Sequence, residues 1–174
     1  MKRKKLTASM IALIMSVSLP MTTYAANWYL EDGSVTVNAD NSGQTVTQGG
    51  TSTPDEAPVI TQRNSSAETS STITINTSDN ADANVTIKDI NIKSSKDAID
   101  VKGSSSANIT LEGDNKIFSE TGSALHVSDG NVTINGSGSL KAEIQDEPDS
   151  GYNHNAKIGS HENENMSGSI HSLV

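Results

Sequence analysis

The word Asn-aliphatic-Thr-aliphatic is written three times at near-equal spacing, as NVTI at 84–87, NITL at 108–111 and NVTI at 131–134. Two other apolar elements follow it in a fixed order. INI at 90–92, KIF at 116–118 and SLKA at 139–142 form one series, and AIDV at 98–101 and ALHV at 124–127 form the next. Gly, Ser, Asn and Asp separate these elements. The pattern predicts three short β-strands and three turns per unit, in a repeat of about two dozen residues.

Alternation puts Val85 and Ile87 on one side of the strand and Asn84, Thr86 and Lys88 on the other. The few aliphatic side chains of one unit cannot offset the entropy of ordering the whole unit, so none can stand alone. Stacking resolves this, because each strand then pairs with its equivalents about 4.8 Å above and below. Aligning the repeated words gives the expected ladders: Val85, Ile109 and Val132 inside, and Thr86, Thr110 and Thr133 outside. Asn84, Asn108 and Asn131 are expected to form an amide ladder at a corner. The fold class expected is all-β, a right-handed parallel β-helix. An antiparallel β-sandwich is the competing architecture, but it does not require equal spacing of three distinct strands. Aromatic residues are scarce, which would also suit a disordered chain; the regular spacing of the aliphatics argues against that.

The segment 1–25 differs in character. Lys2, Arg3, Lys4 and Lys5 precede an apolar stretch from Leu6 to Leu19, and the small-residue ending TTYAA follows. This is the pattern of a secretory signal peptide cleaved after Ala25. A membrane anchor needs about 20 apolar residues, and this stretch is shorter and interrupted by Thr7, Ser9, Ser16 and Ser18. Export removes four of the 12 Lys+Arg, leaving 8 against 21 Asp+Glu, a net of −13, with Arg63 the single arginine. So acidic a surface argues against nucleic acid as a partner and suits cations or neutral glycans. There is no cysteine, so no disulfide or lipid attachment, and no second apolar run. The expected localisation is secreted or cell surface, with no membrane partner once the signal is removed.

The expected organisation is a signal peptide at 1–25, a cap or irregular opening coil at 26–70, and β-helix coils at 71–174. Within the opening part, SVTVNA (34–39), TVTQ (45–48) and PVITQ (58–62) read as strands, as does STITINT (71–77). Trp28, Tyr29 and Leu30 are placed to cover the open end, and 41–57 is either part of an opening coil or a flexible linker. The third unit departs from pattern with an excursion, EIQDEPDSGYNHN, at 143–155. AKIG at 156–159 restores the AIDV-like element, and SGSI at 167–170 starts another strand, so that Ile170 follows Val132 by more than one repeat. That coil stops as it begins, so it is expected to be truncated or completed by another molecule, with self-association through its uncapped edge.

Four runs, VTIKDINIKSSKDAIDVKG, LEGDNKIFSETGSALHVSDG, NVTINGSGSLKA and AKIGSHENENMSGSI, come in an order that resembles consecutive coils of a known family. It comprises secreted bacterial β-helix proteins of the carbohydrate-binding-domain-containing or adhesin-like type, similar in architecture to pectate-lyase-like helices. The likeness runs from about 83 to 170. It implies a parallel β-helix and contact with polysaccharide, in some relatives acidic plant polysaccharide together with calcium.

A lyase on such a fold needs clustered carboxylates for calcium and a cationic base near the sugar. Arg63 stands outside the regular coils; Asp97 and Asp100 flank one strand, but Ser123 and His126 occupy those places in the next coil. No catalytic constellation emerges, and a non-enzymatic role is expected. His126, His154, His161 and His171 lack metal-ligand spacing, so no metal site is expected. Four carboxylates within 143–149 suggest weak calcium binding at most, because the alternating acidic residues of an EF-hand loop are missing. The candidate carbohydrate-binding residues lie in the excursion. Tyr152 offers a ring for a sugar face, and Asp146, Asp149 and His154 offer hydrogen bonds to hydroxyls. The expected function is an exported, non-enzymatic module that binds polysaccharide or cell-surface glycan. A structural fragment of a longer surface solenoid and a pectate-lyase-like enzyme are the alternatives.

Overall fold

A strand in a stacked coil satisfies its main chain only through the coils on either side, so fold and register are the same question. The computed structural model describes residues 25–145, together with the backbone of 158–159 and 169–171. The chain opens with β1 (Asn27–Tyr29), a single 3-10 turn at Leu30–Asp32, and β2 (Val35–Asp40). It then doubles back through β3 (Gly43–Gln48) and β4 (Thr51–Pro54) before β5 (Val59–Thr61) and β6 (Ile73–Thr77). Two regular coils follow: β7 (Ala83–Lys88), β8 (Asn91–Ser94) and β9 (Ile99–Gly103), then β10 (Ser106–Glu112), β11 (Asp114–Ser119) and β12 (Leu125–Val127). The next coil holds β13 (Asn131–Gly136), β14 (Ser139–Ile144) and β15 (Ile158–Gly159), and β16 (Ser169–His171) begins another.

These strands stack into three sheets. The first runs β1-β5-β7-β10-β13-β16, the second β14-β11-β8, and the third β15-β12-β9-β6-β2-β3-β4. Every pairing is parallel except β2 with β3 and β3 with β4. The result is an all-β, parallel β-solenoid of about three turns. Each coil lies in register on the one before it, with Ile109 beside Val85, Ile134 beside Ile109, Ile117 beside Ile92 and Leu125 beside Ile99. AKIG and SGSI return to the stack after the excursion: Ile158 pairs with Leu125 and Ile170 with Val132. Residues 43–54, within the stretch left open between coil and linker, are the two antiparallel strands.

The core follows from the alternation. Val85, Ile87, Ile109, Leu111, Val132 and Ile134 point inward and are buried, and Ile92, Ile117, Ile99 and Leu125 fill the other two sides. The ladders need one correction. Asn84 and Asn108 are in register, and the Asn108 amide donates to Asn84 Oδ1 at 3.2 Å. The third member is not Asn131 but Thr133, and Val85 and Ile109 are followed by Ile134, not Val132. Thr110 stands opposite Asn135, not Thr133, and donates to its Oδ1 at 3.1 Å. The reason lies in the turn between Val127 and Asn131. His126 pairs with Asp100, and five positions further on Asn131 pairs with Ser106, six beyond Asp100. The turn is thus shorter by one residue than its predecessor, whereas matching the repeated words would need it shorter still by two. A slide of two preserves which side chains face inward, so the alternation fits both registers.

Polar side chains complete the interior where strands turn. Asn115, 1% exposed, accepts from the Ile90 N–H at 3.3 Å and donates to the carbonyls of Glu112 at 3.1 Å and Ser139 at 3.0 Å. It thus ties three coils together at one corner. Gln44 does similar work for the hairpin: its amide donates to Asp55 O and Asn84 O, and its oxygen accepts from the Asn84 N–H. At the end of β9, Gly103 has φ +113° opposite Thr77, and a Cβ there would meet the Thr77 carbonyl oxygen at 1.7 Å. Only glycine permits that approach. Replacing Asn115 with leucine is expected to destabilise the protein by about 1–3 kcal/mol despite its greater hydrophobicity, because the Ile90 N–H loses its partner in the interior. Urea unfolding followed by circular dichroism measures this.

Candidate functional site

Alternation on the second sheet turns Ile92 and Ile117 inward, so Asn91, Lys93, Lys116 and Phe118 must face out. Register then aligns them across coils. Asn91, Lys116 and Lys141 form one outward row, and Lys93, Phe118 and Glu143 form the next. Phe118 is half-buried on an otherwise polar surface. Lys93 Nζ sits 5.8 Å from its ring centroid and 4.0 Å from Glu68, and Lys141 pairs with Glu143 at 3.0 Å. Among the described residues, no carboxylate lies within 4.0 Å of the Lys116 ammonium. Lys116 and Lys141 stand directly opposite each other, a like-charge pairing that costs free energy in a sheet.

Two hollows share Lys116. One of about 240 Å³ is lined by Glu68, Asn91, Lys93, Phe118 and Glu143 among others, and one of about 360 Å³ by Ser65, Ser66, Asp114, Ser139 and Lys141 among others. The surface therefore carries one ring, three cations and several hydrogen-bonding groups along adjacent shallow depressions. Neither KIF nor SLKA announces this. Their outward letters, Lys116, Phe118 and Lys141, become a row only once the coils are in register.

A second cluster forms on the third sheet. His126 lies in register with Asp100, and its Nδ1 is 3.0 Å from Asp100 Oδ1 and 3.6 Å from Asp97 Oδ2. The remaining carboxylate oxygens are held from outside: the Ser123 N–H donates to Asp97 Oδ1 at 2.6 Å, and Lys102 Nζ lies 2.7 Å from Asp100 Oδ2. The imidazole is only 8% exposed, and Asp97 and Asp100 are 23% and 16% exposed. One donor atom from each of the three residues falls within 4.8 Å of the others, a set able to hold a metal ion. Sequence spacing suggests no such group, because the relevant interval is the advance of a whole coil on this sheet, not a motif along one strand.

Asp146, Asp149, Tyr152 and His154, singled out from the excursion, lie outside the described residues. Arg63 pairs with the opening 3-10 turn of the chain. Its guanidinium donates two parallel hydrogen bonds to Asp32, at 2.9 and 2.7 Å, and stacks 4.1 Å above the Tyr29 ring. Comparison with known protein families, with curated proteins and with solved structures finds no match.

The hydrogen bonds from Arg63 hold the Asp32 carboxyl below its ordinary value, and Asp32 in turn raises Arg63. A depressed carboxyl stabilises the fold above its unfolded-state value and loses that contribution as pH falls through the folded one. Both groups are exposed, so the effect on stability is small. In an NMR titration, Asp32 is expected to titrate at lower pH than a free aspartate, and Arg63→Gln should return it to the ordinary range.

Proposed function

We propose that the protein is an exported, non-enzymatic β-solenoid module that binds glycan along the outer surface of its second sheet. The observation that carries this is the register-aligned surface around Phe118. A half-buried ring gives a flat apolar platform for the C–H face of a sugar, and Lys93, Glu143, Asn91 and Lys116 surround it with groups that hydrogen-bond hydroxyls. Parallel strands repeat such groups at about 4.8 Å, so an extended polymer can lie across several coils. The like-charged Lys116 and Lys141 suit a saccharide bearing carboxylate or sulfate, whose charge would relieve their repulsion. The resemblance of 83–170 to adhesin-like bacterial β-helix proteins supports the same reading, as does the signal-like N-terminus. Asp146, Asp149, Tyr152 and His154, in the 143–155 excursion of the sequence, are proposed as further contacts.

The test is affinity electrophoresis of the chain beginning at Ala26 through gels containing neutral or acidic polysaccharides, with and without calcium. Retention by at least one polymer is expected, weakened about tenfold, or about 1.4 kcal/mol, by Phe118→Ala. Lys116→Glu should abolish retention by acidic polymers while sparing the strand spectrum. Failure of every polymer to retard the protein would sink the proposal.

A further inference from the structure

The cluster on the third sheet has a use independent of glycan binding. From the convergence of His126 Nδ1, Asp97 Oδ2 and Asp100 Oδ1, we propose that Asp97, Asp100 and His126 bind a borderline divalent cation of the zinc class. One nitrogen and two carboxylate oxygens form a donor set that suits zinc better than calcium, which prefers all-oxygen shells. Tetrahedral zinc with bonds of about 2.0–2.2 Å sets its ligands roughly 3.3–3.6 Å apart, and the imidazole nitrogen stands 3.0 Å from Asp100, a hydrogen bond the ion would replace, and 3.6 Å from Asp97. The outer contacts already match what such a site needs. The Ser123 N–H and Lys102 hold the far oxygens of Asp97 and Asp100, which orients the near ones toward the imidazole. Gly122 keeps the space behind Asp97, since a Cβ there would lie 2.5 Å from Asp97 Oδ1. Two of the ligands sit on paired strands, so little reorganisation is needed to receive the ion.

Isothermal titration of chelator-treated protein with zinc chloride tests the proposal. One zinc per chain is expected, with affinity reduced at least tenfold in His126→Asn and in Asp100→Asn. Binding should survive in a variant with His154, His161 and His171 all changed to asparagine. Zinc should also raise the thermal midpoint of the wild type and not of His126→Asn, a difference that a purely structural histidine would not produce. No zinc binding, or binding unchanged in His126→Asn, overturns the assignment. If His126→Asn does not fold, Asp97→Asn takes its place with the same outcomes.

A separate observation concerns the other end of the chain. Asp55 is 2% exposed, and its carboxylate accepts hydrogen bonds from the Ala26 N–H at 3.1 Å, the Trp28 indole at 2.8 Å and the Ala57 N–H at 3.2 Å. A buried carboxylate calls for a compensating positive charge. Cleavage after Ala25 makes the Ala26 nitrogen an α-ammonium at that spot. We infer that leader removal creates a partly buried ion pair between the new N-terminus, at the exposed Ala26, and the buried carboxylate of Asp55, which locks β1 and the hairpin into the stack. This rests on the signal-peptide reading. Mass spectrometry of the exported protein checks the cleavage site separately, and an N-terminus other than Ala26 would end both the site and the inference. On chains starting at Ala26, Nα-acetylation is expected to lower the thermal midpoint by about 2–4 °C. The shift should vanish in Asp55→Asn; an equal shift in that variant, or none in the wild type, overturns the ion pair.

Discussion

Parallel stacking of one coil on the next is the constraint on which everything else in this protein depends. No coil owns enough apolar surface to pack by itself, and none can satisfy its own strand main chain. Each therefore borrows both from its neighbours, through ladders such as Val85–Ile109–Ile134 and the hydrogen bonds that hold them in register. Corner residues serve the same end. Asn115 reaches the main chain of the coil on either side, and Gly103 lets the chain turn against the carbonyl of Thr77.

The same stacking makes the surface features. Residues one full coil apart in sequence become adjacent, whatever lies between them. Phe118 acquires Lys93 and Glu143 as neighbours, and His126 acquires Asp100. An acidic chain with few cations thus collects three lysines on one sheet and gathers two carboxylates around an imidazole on another. Neither grouping needs an elaborate loop, because flat parallel strands already hold the side chains in rows.

The fold was largely legible from alternation and period: strand positions, inward and outward faces, and the return of AKIG and SGSI after the excursion all follow from them. The register of β13 was not, since a slide of two leaves the hydrophobic pattern unchanged and only the turn length decides it. The hairpin of β3 and β4 was half visible, as strand-like letters without a partner. Its anchor, the Gln44 side chain on Asn84, joins positions far apart in sequence and leaves no local signature.

By itself the sequence determined that this chain builds a stack of three-stranded coils, because a period-2 pattern that keeps recurring at coil length has few other ways to bury its aliphatics. It also determined which letters face outward. Only the tertiary structure decided which outward letters stand side by side. Cross-coil contacts depend on the summed lengths of the intervening turns, and a single insertion or deletion in a turn moves every neighbour on the next rung. Thus the sequence puts His126 at the place of Asp100 one coil on, while the approach of Asp97, Asp100 and His126 to within 4.8 Å of one another is decided in the fold.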